Sequence, residues 1–255
     1  TIRYGGSKAK GTMIREAYDL DVICYFPHNE KGAGETLKDI YNNVAKTLES
    51  EYLVFRKTSA LRLKSKESGS YSADFYIDVV PGRFVDDTKE DTYLHQENGD
   101  KERIKTNLKV HIDHIKGSGV TDAIRLMKLW RVRNSLSIKH FGLELMIVEL
   151  LKKRKRASLA DQLKHCWEEM RDNIDDIKIE DPANPTGNDL SELLNDSVKK
   201  ELAGMAQKTL QDIEGQGWES VFGPIRKMST SQRIALLSNA AANVSKPTRP
   251  WAFQE

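Results

Sequence analysis

Gly5-Gly6-Ser7-Lys8-Ala9-Lys10-Gly11-Thr12, followed by Asp19-Leu20-Asp21-Val22-Ile23, is the stretch on which the reading of the fold turns. Glycines lack a Cβ, so their backbone N–H groups can approach an anion closely. Ser7 adds a hydroxyl, and Lys8 and Lys10 add positive charge, so the segment reads as a phosphate cradle. The apolar run 20–26 predicts a strand ending at Pro27. Its period of two sets Asp19 and Asp21 on one face, with Leu20, Val22, Cys24 and Phe26 on the other. Two carboxylates beside phosphate donors suit a divalent cation carrying a nucleoside triphosphate. Taken alone, an Asp-x-Asp pair is more often a solvated turn.

Two close metal ions need more oxygen ligands than one Asp pair supplies. The sequence offers a third at Ala73-Asp74-Phe75-Tyr76-Ile77-Asp78-Val79-Val80-Pro81-Gly82, a second predicted strand. Phe75, Ile77 and Val79 face one way, and Asp74, Tyr76, Asp78 and Val80 the other. Asp78 sits mid-strand among apolar neighbours, where an unpaired charge is costly; a metal accounts for it. Asp74 lies nearer the strand start and reads as solvated.

Bulk properties bound the rest. The 255 residues allow one large domain or two joined lobes. Lys and Arg total 40 against 38 Asp and Glu, so net charge does not call for a nucleic-acid partner. No apolar run approaches membrane-spanning length, and no signal peptide is visible. Cys24 and Cys166 lie far apart without metal-ligand spacing, which suggests a reducing, cytoplasmic setting.

Helical spacing of Leu37, Ile40, Val44 and Leu48 predicts a helix over 35–52, and short strands follow over 53–57 and 60–64. Arg56, Lys57, Arg62 and Lys64 could line a substrate channel, but a solvated sheet face is the simpler expectation. The polar segment 81–103 is expected to cross between lobes. A helix over 121–133 turns Ile124, Met127 and Trp130 to the core and Lys128 elsewhere. Another begins near Ser135 and runs to 151, with its Leu143-Glu144-Leu145 read as core packing. The basic run Lys152-Lys153-Arg154-Lys155-Arg156 complements a helix C-terminus and is expected to stay solvated, a nucleic-acid footprint being the alternative. Further helices are expected over 158–172, 190–215 and 229–245, with Pro250-Trp251-Ala252-Phe253 tucked against the body.

The order Gly-Ser, Lys-Gly-Thr, Asp-x-Asp in an apolar strand and then Asp-Val-Val-Pro resembles the DNA polymerase β-like nucleotidyltransferases. More narrowly it resembles the branch holding 2′-5′-oligoadenylate synthetases, cyclic GMP-AMP synthase and the bacterial CD-NTases. A second match is Asp181-Pro182-Ala183-Asn184-Pro185-Thr186-Gly187-Asn188, similar to a turn of the oligoadenylate synthetases and expected to be structural. Members of that branch carry a helix ahead of the cradle, so residues before Thr1 are expected to be missing or shortened.

The resemblance implies an α+β fold of two lobes. A mixed-sheet catalytic lobe would span 1–104 and a helical lobe 105–255, with the active site in the cleft between them. It also implies a bacterial cyclic-oligonucleotide synthase that joins ribonucleoside triphosphates, ATP among them, and releases pyrophosphate. The product would be a cyclic di- or trinucleotide messenger acting on an effector in anti-phage (CBASS) defence. Asp19, Asp21 and Asp78 would be catalytic and would hold two Mg²⁺ ions, or Mn²⁺ in their place, with Asp78 also a candidate proton acceptor. Gly6, Ser7 and Lys128 would grip phosphates, and Ser137 and His140 would contact nucleotide near the next helix start. Neither a membrane nor a nucleic acid is required, and no Cys/His zinc cluster is present. The alternatives are a linear 2′-5′-oligoadenylate synthetase, an RNA-tailing enzyme, or a silent nucleotide-binding partner.

Overall fold

The computed structural model describes residues 1–66, 76–98 and 101–224, together with 231 and 234. Seven strands form one mixed sheet: β1 (Ile2–Tyr4), β2 (Asp19–Phe26), β3 (Tyr52–Arg56), β4 (Leu61–Ser65), β5 (Tyr76–Phe84), β6 (Thr92–His95) and β7 (Arg103–Thr106). The order is β1-β2-β5-β4-β3, and β6 joins β5 to β7. Only β2 and β5 run parallel. A parallel pair needs a crossover, and here it holds a helix and the β3–β4 hairpin.

That crossover helix, which follows the cradle helix α1 (Gly6–Lys10), is α2 (Leu37–Leu48). It starts where Thr36 and Asp39 cap each other's backbone N–H groups. Tyr41 and Ala45 of α2 pack with Leu61, Leu63 and Val79, joined by Val22 and Cys24. The opposite face buries Ile23, Tyr25, Phe84 and Leu94, with Val80 against them. The period-two reading of β2 and β5 therefore holds on both faces.

The helical part comprises α3 (Leu108–Lys116), α4 (Thr121–Arg133), α5 (His140–Leu151), α6 (Leu159–Asp172), α7 (Asp196–Gln216) and the short α8 (Glu219–Phe222). Ile124, Met127 and Trp130 of α4 are fully buried, as their spacing predicts. They share one core with Leu143 and Met146 of α5, Trp167 of α6 and Leu202 of α7. The rings of Trp130 and Trp167 meet with centroids 5.9 Å apart. No helix among the described residues is long and apolar enough to cross a membrane.

Several expectations need correcting. Segment 81–103 does not simply cross between lobes: β5 continues to Phe84, and β6 and β7 extend the sheet. Gly82 lets β6 come close, since a Cβ there would lie 2.6 Å from Leu94 Cδ2. The cradle is a single helical turn rather than an open loop, and it stops at Gly11 with φ +74°. The helix expected from Ser135 starts at His140, because the Arg131 Nε–H donates to the Ile138 carbonyl and holds the preceding loop. The long helix expected from 190 starts at Asp196, after a 3₁₀ turn over Ser191–Leu194. Asp74, the terminal aromatic segment and nearly all of the helix expected over 229–245 lie outside the described residues.

The 181–188 turn knits the two parts together. Asp181 is buried and accepts hydrogen bonds from His111 of α3 (2.6 Å), Asn188 (2.7 Å) and the Ala183 amide (2.8 Å). Asn188 also donates to the Lys105 carbonyl of β7.

The buried Trp130 Nε1–H donates to Thr209 Oγ1 of α7 at 2.8 Å. Thr209→Val keeps the shape but leaves that N–H without an acceptor, so it should cost about 1–3 kcal/mol in urea unfolding. A change within experimental error would show that the bond contributes nothing.

Candidate active site

The register of the parallel pair sets the site. Asp19 stands beside Tyr76, and Asp21 beside Asp78. Registered neighbours project to the same side of a sheet, so the three carboxylates share one face. They are not in one environment. Asp78 is buried and accepts from Arg62 Nε at 2.8 Å, Arg62 Nη2 at 2.9 Å and Lys57 Nζ at 2.7 Å. The same Arg62 lies 3.9 Å from Asp19 and over the Tyr76 ring. Burial alone would push the Asp78 carboxyl up, but the bonds from Arg62 and Lys57 prevail and hold it below the usual range. Asp21 behaves in the opposite way. Burial raises it, and the charges of Asp78 and Asp19 raise it further against weaker help from Lys10 and Lys57. Lys57 is exposed, as expected of a solvated face, but it and the half-buried Arg62 are both committed to Asp78. Arg62 is the cross-strand partner of Asp78 on β4, which puts its guanidinium within reach.

The cradle packs directly onto β2. The Gly5 amide donates to the Asp21 carbonyl at 2.9 Å. Gly6 has φ +48°, and a Cβ on it would fall 1.6 Å from Asp21 Oδ2. Glycine is needed there both for backbone conformation and for space.

Lys128, from α4, reaches this point. It is 1% exposed, and its Nζ donates to Ser7 Oγ at 2.6 Å and to Glu144 Oε1 at 3.2 Å. Glu144 also accepts from Lys10 Nζ at 2.7 Å and from the Thr12 hydroxyl. Burial pushes the Lys128 ammonium down while Glu144 pulls it back up. For Glu144, burial raises the carboxyl, but Lys10 and Lys128 outweigh it and keep it low. The sequence reading took the Leu-Glu-Leu segment as core packing. That holds for Leu143 and Leu145 but not for Glu144, which is a buried ion-pair centre. The apolar residues directly on both sides of Glu144 are the available signal.

His140 opens α5, with Nε2 3.4 Å from Arg131 Nη1 and Nδ1 buried without a partner. Burial, then the charges of Lys128 and Arg131, push the imidazole down to about 4, so it is neutral at neutral pH. Ser137 is exposed, and its amide and hydroxyl both donate to Glu201 of α7. The structure brings Gly6, Ser7, Lys128 and the three aspartates together, with His140 at their edge; Ser137 is committed elsewhere. Residues 152–156 are all exposed, Lys152 pairing with Glu149.

Among the described residues, no three His, Cys, Asp or Glu side chains are gathered as a ready metal site. The donor set still fits a hard divalent ion in kind. It is all oxygen, lies on one face and includes in Asp21 a carboxylate short of positive charge.

No family model matches the chain, and no curated protein matches it. Solved structures do. Escherichia coli MS115-1 CdnC with ATP superposes with a TM-score of 0.64 at 21% identity, over 88% of this chain and 83% of that one. Vibrio cholerae DncV cyclic AMP-GMP synthase with nonhydrolyzable GTP gives 0.68 at 16%, over 91% and 70%. Elizabethkingia meningoseptica CdnE cyclic dinucleotide synthase with GTP and Apcpp gives 0.59 at 13%, over 84% of each. The sheet, the helical bundle and their connection are therefore those of the cGAS/DncV-like CD-NTases, and this chain has that fold.

Proposed function

We propose that the chain is a nucleotidyltransferase that joins ribonucleoside triphosphates into a cyclic di- or trinucleotide and releases pyrophosphate. The observation that carries this reading is the set of three carboxylates on one sheet face, set directly against the Gly6–Ser7 turn and Lys128. The fold neighbours DncV and CdnE are named as cyclic nucleotide synthases, and their bound GTP and Apcpp agree with a triphosphate substrate. A catalytic lobe of 1–104 would carry the carboxylates, and a helical lobe of 105–255 would carry Lys128. We assign the product, as a second messenger, to anti-phage (CBASS) signalling in the cytoplasm.

In this reading Gly6, Ser7 and Lys128 hold the triphosphate, and His140, whose Nδ1 is buried, would reach the nucleotide only once that atom is uncovered. The ribose hydroxyl oxygen bonds to the α-phosphorus, the bond from that phosphorus to pyrophosphate breaks, and the hydroxyl proton passes to solvent water. Lys128 balances charge on the departing pyrophosphate. Asp19, Asp21 and Asp78 would hold two Mg²⁺ ions, which when bound acidify the attacking hydroxyl and stabilise the transferred phosphate. Arg62 and Lys57 take three of the four lone-pair sites of Asp78, so an ion on that residue would use the remaining site on Oδ1, beside the Arg62 guanidinium. Because those cations keep Asp78 ionised, it suits a ligand role better than that of a strong base.

Asp78→Asn preserves shape and removes charge. Product formation should fall about 10²–10³-fold or more, while triphosphate affinity stays within about threefold; full turnover would refute the assignment. Gly6→Ala should cost only about 1–2 kcal/mol of stability in the left-handed conformation. Its displacement of Asp21 should lower turnover about 100-fold, and equal turnover would remove Gly6 from the site. Incubation with labelled ATP, GTP, CTP and UTP followed by phosphatase separates the products. A cyclic product has no terminal phosphate, so phosphatase leaves its charge and mobility unchanged; a linear oligoadenylate loses its 5′-triphosphate and shifts, and label in a tailed RNA stays at polynucleotide size.

A further inference from the structure

Glu144 would touch neither nucleotide nor metal, yet three other segments of the chain converge on it. Oε2 accepts from Lys10 of α1 at 2.7 Å. Oε1 accepts from Thr12, in the turn after α1, and from Lys128 of α4 at 3.2 Å. Glu144 itself belongs to α5 and is 1% exposed. A buried ion pair is a poor device for stability, since desolvation offsets most of the attraction. Two buried lysines on one carboxylate make a worse one, because a formal positive charge is left over. Asp21 is another carboxylate whose charge acts on Lys128, and burial and its neighbours Asp78 and Asp19 already push its own carboxyl up. On the remaining side stand Arg131 and a neutral His140, which add no anion.

The donor count points the same way. An ammonium has three N–H groups. On Lys128, Ser7 Oγ and Glu144 Oε1 take two of them. Among the described residues no hydrogen bond takes the third, which leaves it for an anion. Lys10 likewise spends one on Glu144, and its Nζ lies 4.7 Å from the Phe141 ring centroid. The carboxylate fixes both ammonium groups at one place, beside the turn that meets Asp21.

Resting on the nucleotidyltransferase reading, we propose that Glu144 is a positioning residue that presets Lys10 and Lys128 as a paired cationic grip for the triphosphate. Thr12 serves it by holding Oε1, the oxygen that Lys128 uses.

Inorganic tripolyphosphate is a suitable probe, because it needs no knowledge of the base. Its binding in Mg²⁺ is measured by calorimetry on wild type, Lys128→Met, Glu144→Gln and Thr12→Val, each checked as folded by circular dichroism. Losing a charge-assisted bond corresponds to about tenfold, so Glu144→Gln should weaken binding about tenfold or more and raise KM for nucleotide more than it lowers kcat. Thr12→Val, nearly isosteric, should weaken binding about threefold through the same oxygen, and it decides the matter if Glu144→Gln does not fold. A merely structural Glu144 would lower the melting temperature and leave KM unchanged. If Lys128→Met loses tripolyphosphate while folded Glu144→Gln, or failing it Thr12→Val, binds like the wild type, the positioning role is wrong and the phosphate reading survives. If Lys128→Met binds like the wild type, the phosphate reading itself fails and takes this inference with it.

Discussion

Two carboxylates cannot stand side by side on neighbouring strands unless positive charge stands with them. The parallel pairing of β2 with β5 imposes that placement on Asp21 and Asp78. Each further charged group near the sheet is an answer to it. Arg62 and Lys57 neutralise Asp78 from the β3–β4 hairpin, and Arg62 reaches toward Asp19 as well. Asp21 gains only distant help, and its carboxyl is pushed up by burial and then by its two neighbours. The face is therefore unevenly balanced, and the imbalance is largest at Asp21, against whose Oδ2 the Gly6 turn packs closely.

The helical part presents the opposite problem. Lys128 and Lys10 are buried with only Glu144 to share between them, so this side carries surplus positive charge. Carboxylates lacking cations and lysines lacking anions meet at α1, which is five residues long. A magnesium–triphosphate pair has the complementary arrangement, with its cations toward one wall and its oxygens toward the other. The interface between sheet and bundle is thus charged where a purely structural joint would be apolar. Packing is left to the Trp130–Trp167 core on one side and to the Tyr41–Leu61 cluster on the other.

Much of this was legible in the sequence because it depends on local period. Asp19, Asp21 and Asp78 could be placed on strand faces by counting in twos, and Ile124, Met127 and Trp130 by counting in threes and fours. The order of glycine, serine and aspartates carried the fold. What escaped depends on register between distant strands. Nothing in residues 53–64 shows that Arg62 will pair with Asp78, because that match is set by the antiparallel alignment of β4 with β5. Residues 92–106 alternate too briefly, and with too many polar side chains, to announce two further strands. Ser137 sits on a plausible helix start, but tertiary bonding through Arg131 moves that start to His140, and Glu201 captures the serine.

Glu144 is the instructive case, because sequence pattern argues for the wrong environment and the right burial. A largely apolar run from Leu143 to Leu151 carrying two carboxylates, Glu144 and Glu149, predicts a core helix with one polar edge, and α5 is one. A charge in such a run is read either as an exposed position or as a tolerated flaw. Glu149 is the exposed position, but Glu144 is buried and can be neither, since an unpaired carboxylate there would cost far more than the helix gains. The physical rule therefore requires a cation partner from elsewhere in the chain, although it cannot say which. In this fold the partners lie 134 positions away at Lys10 and 16 away at Lys128. The buried carboxylate is thus explained by α1 and α4 together, and the same contacts bring the N-terminal turn and α4 to a common point beside the sheet.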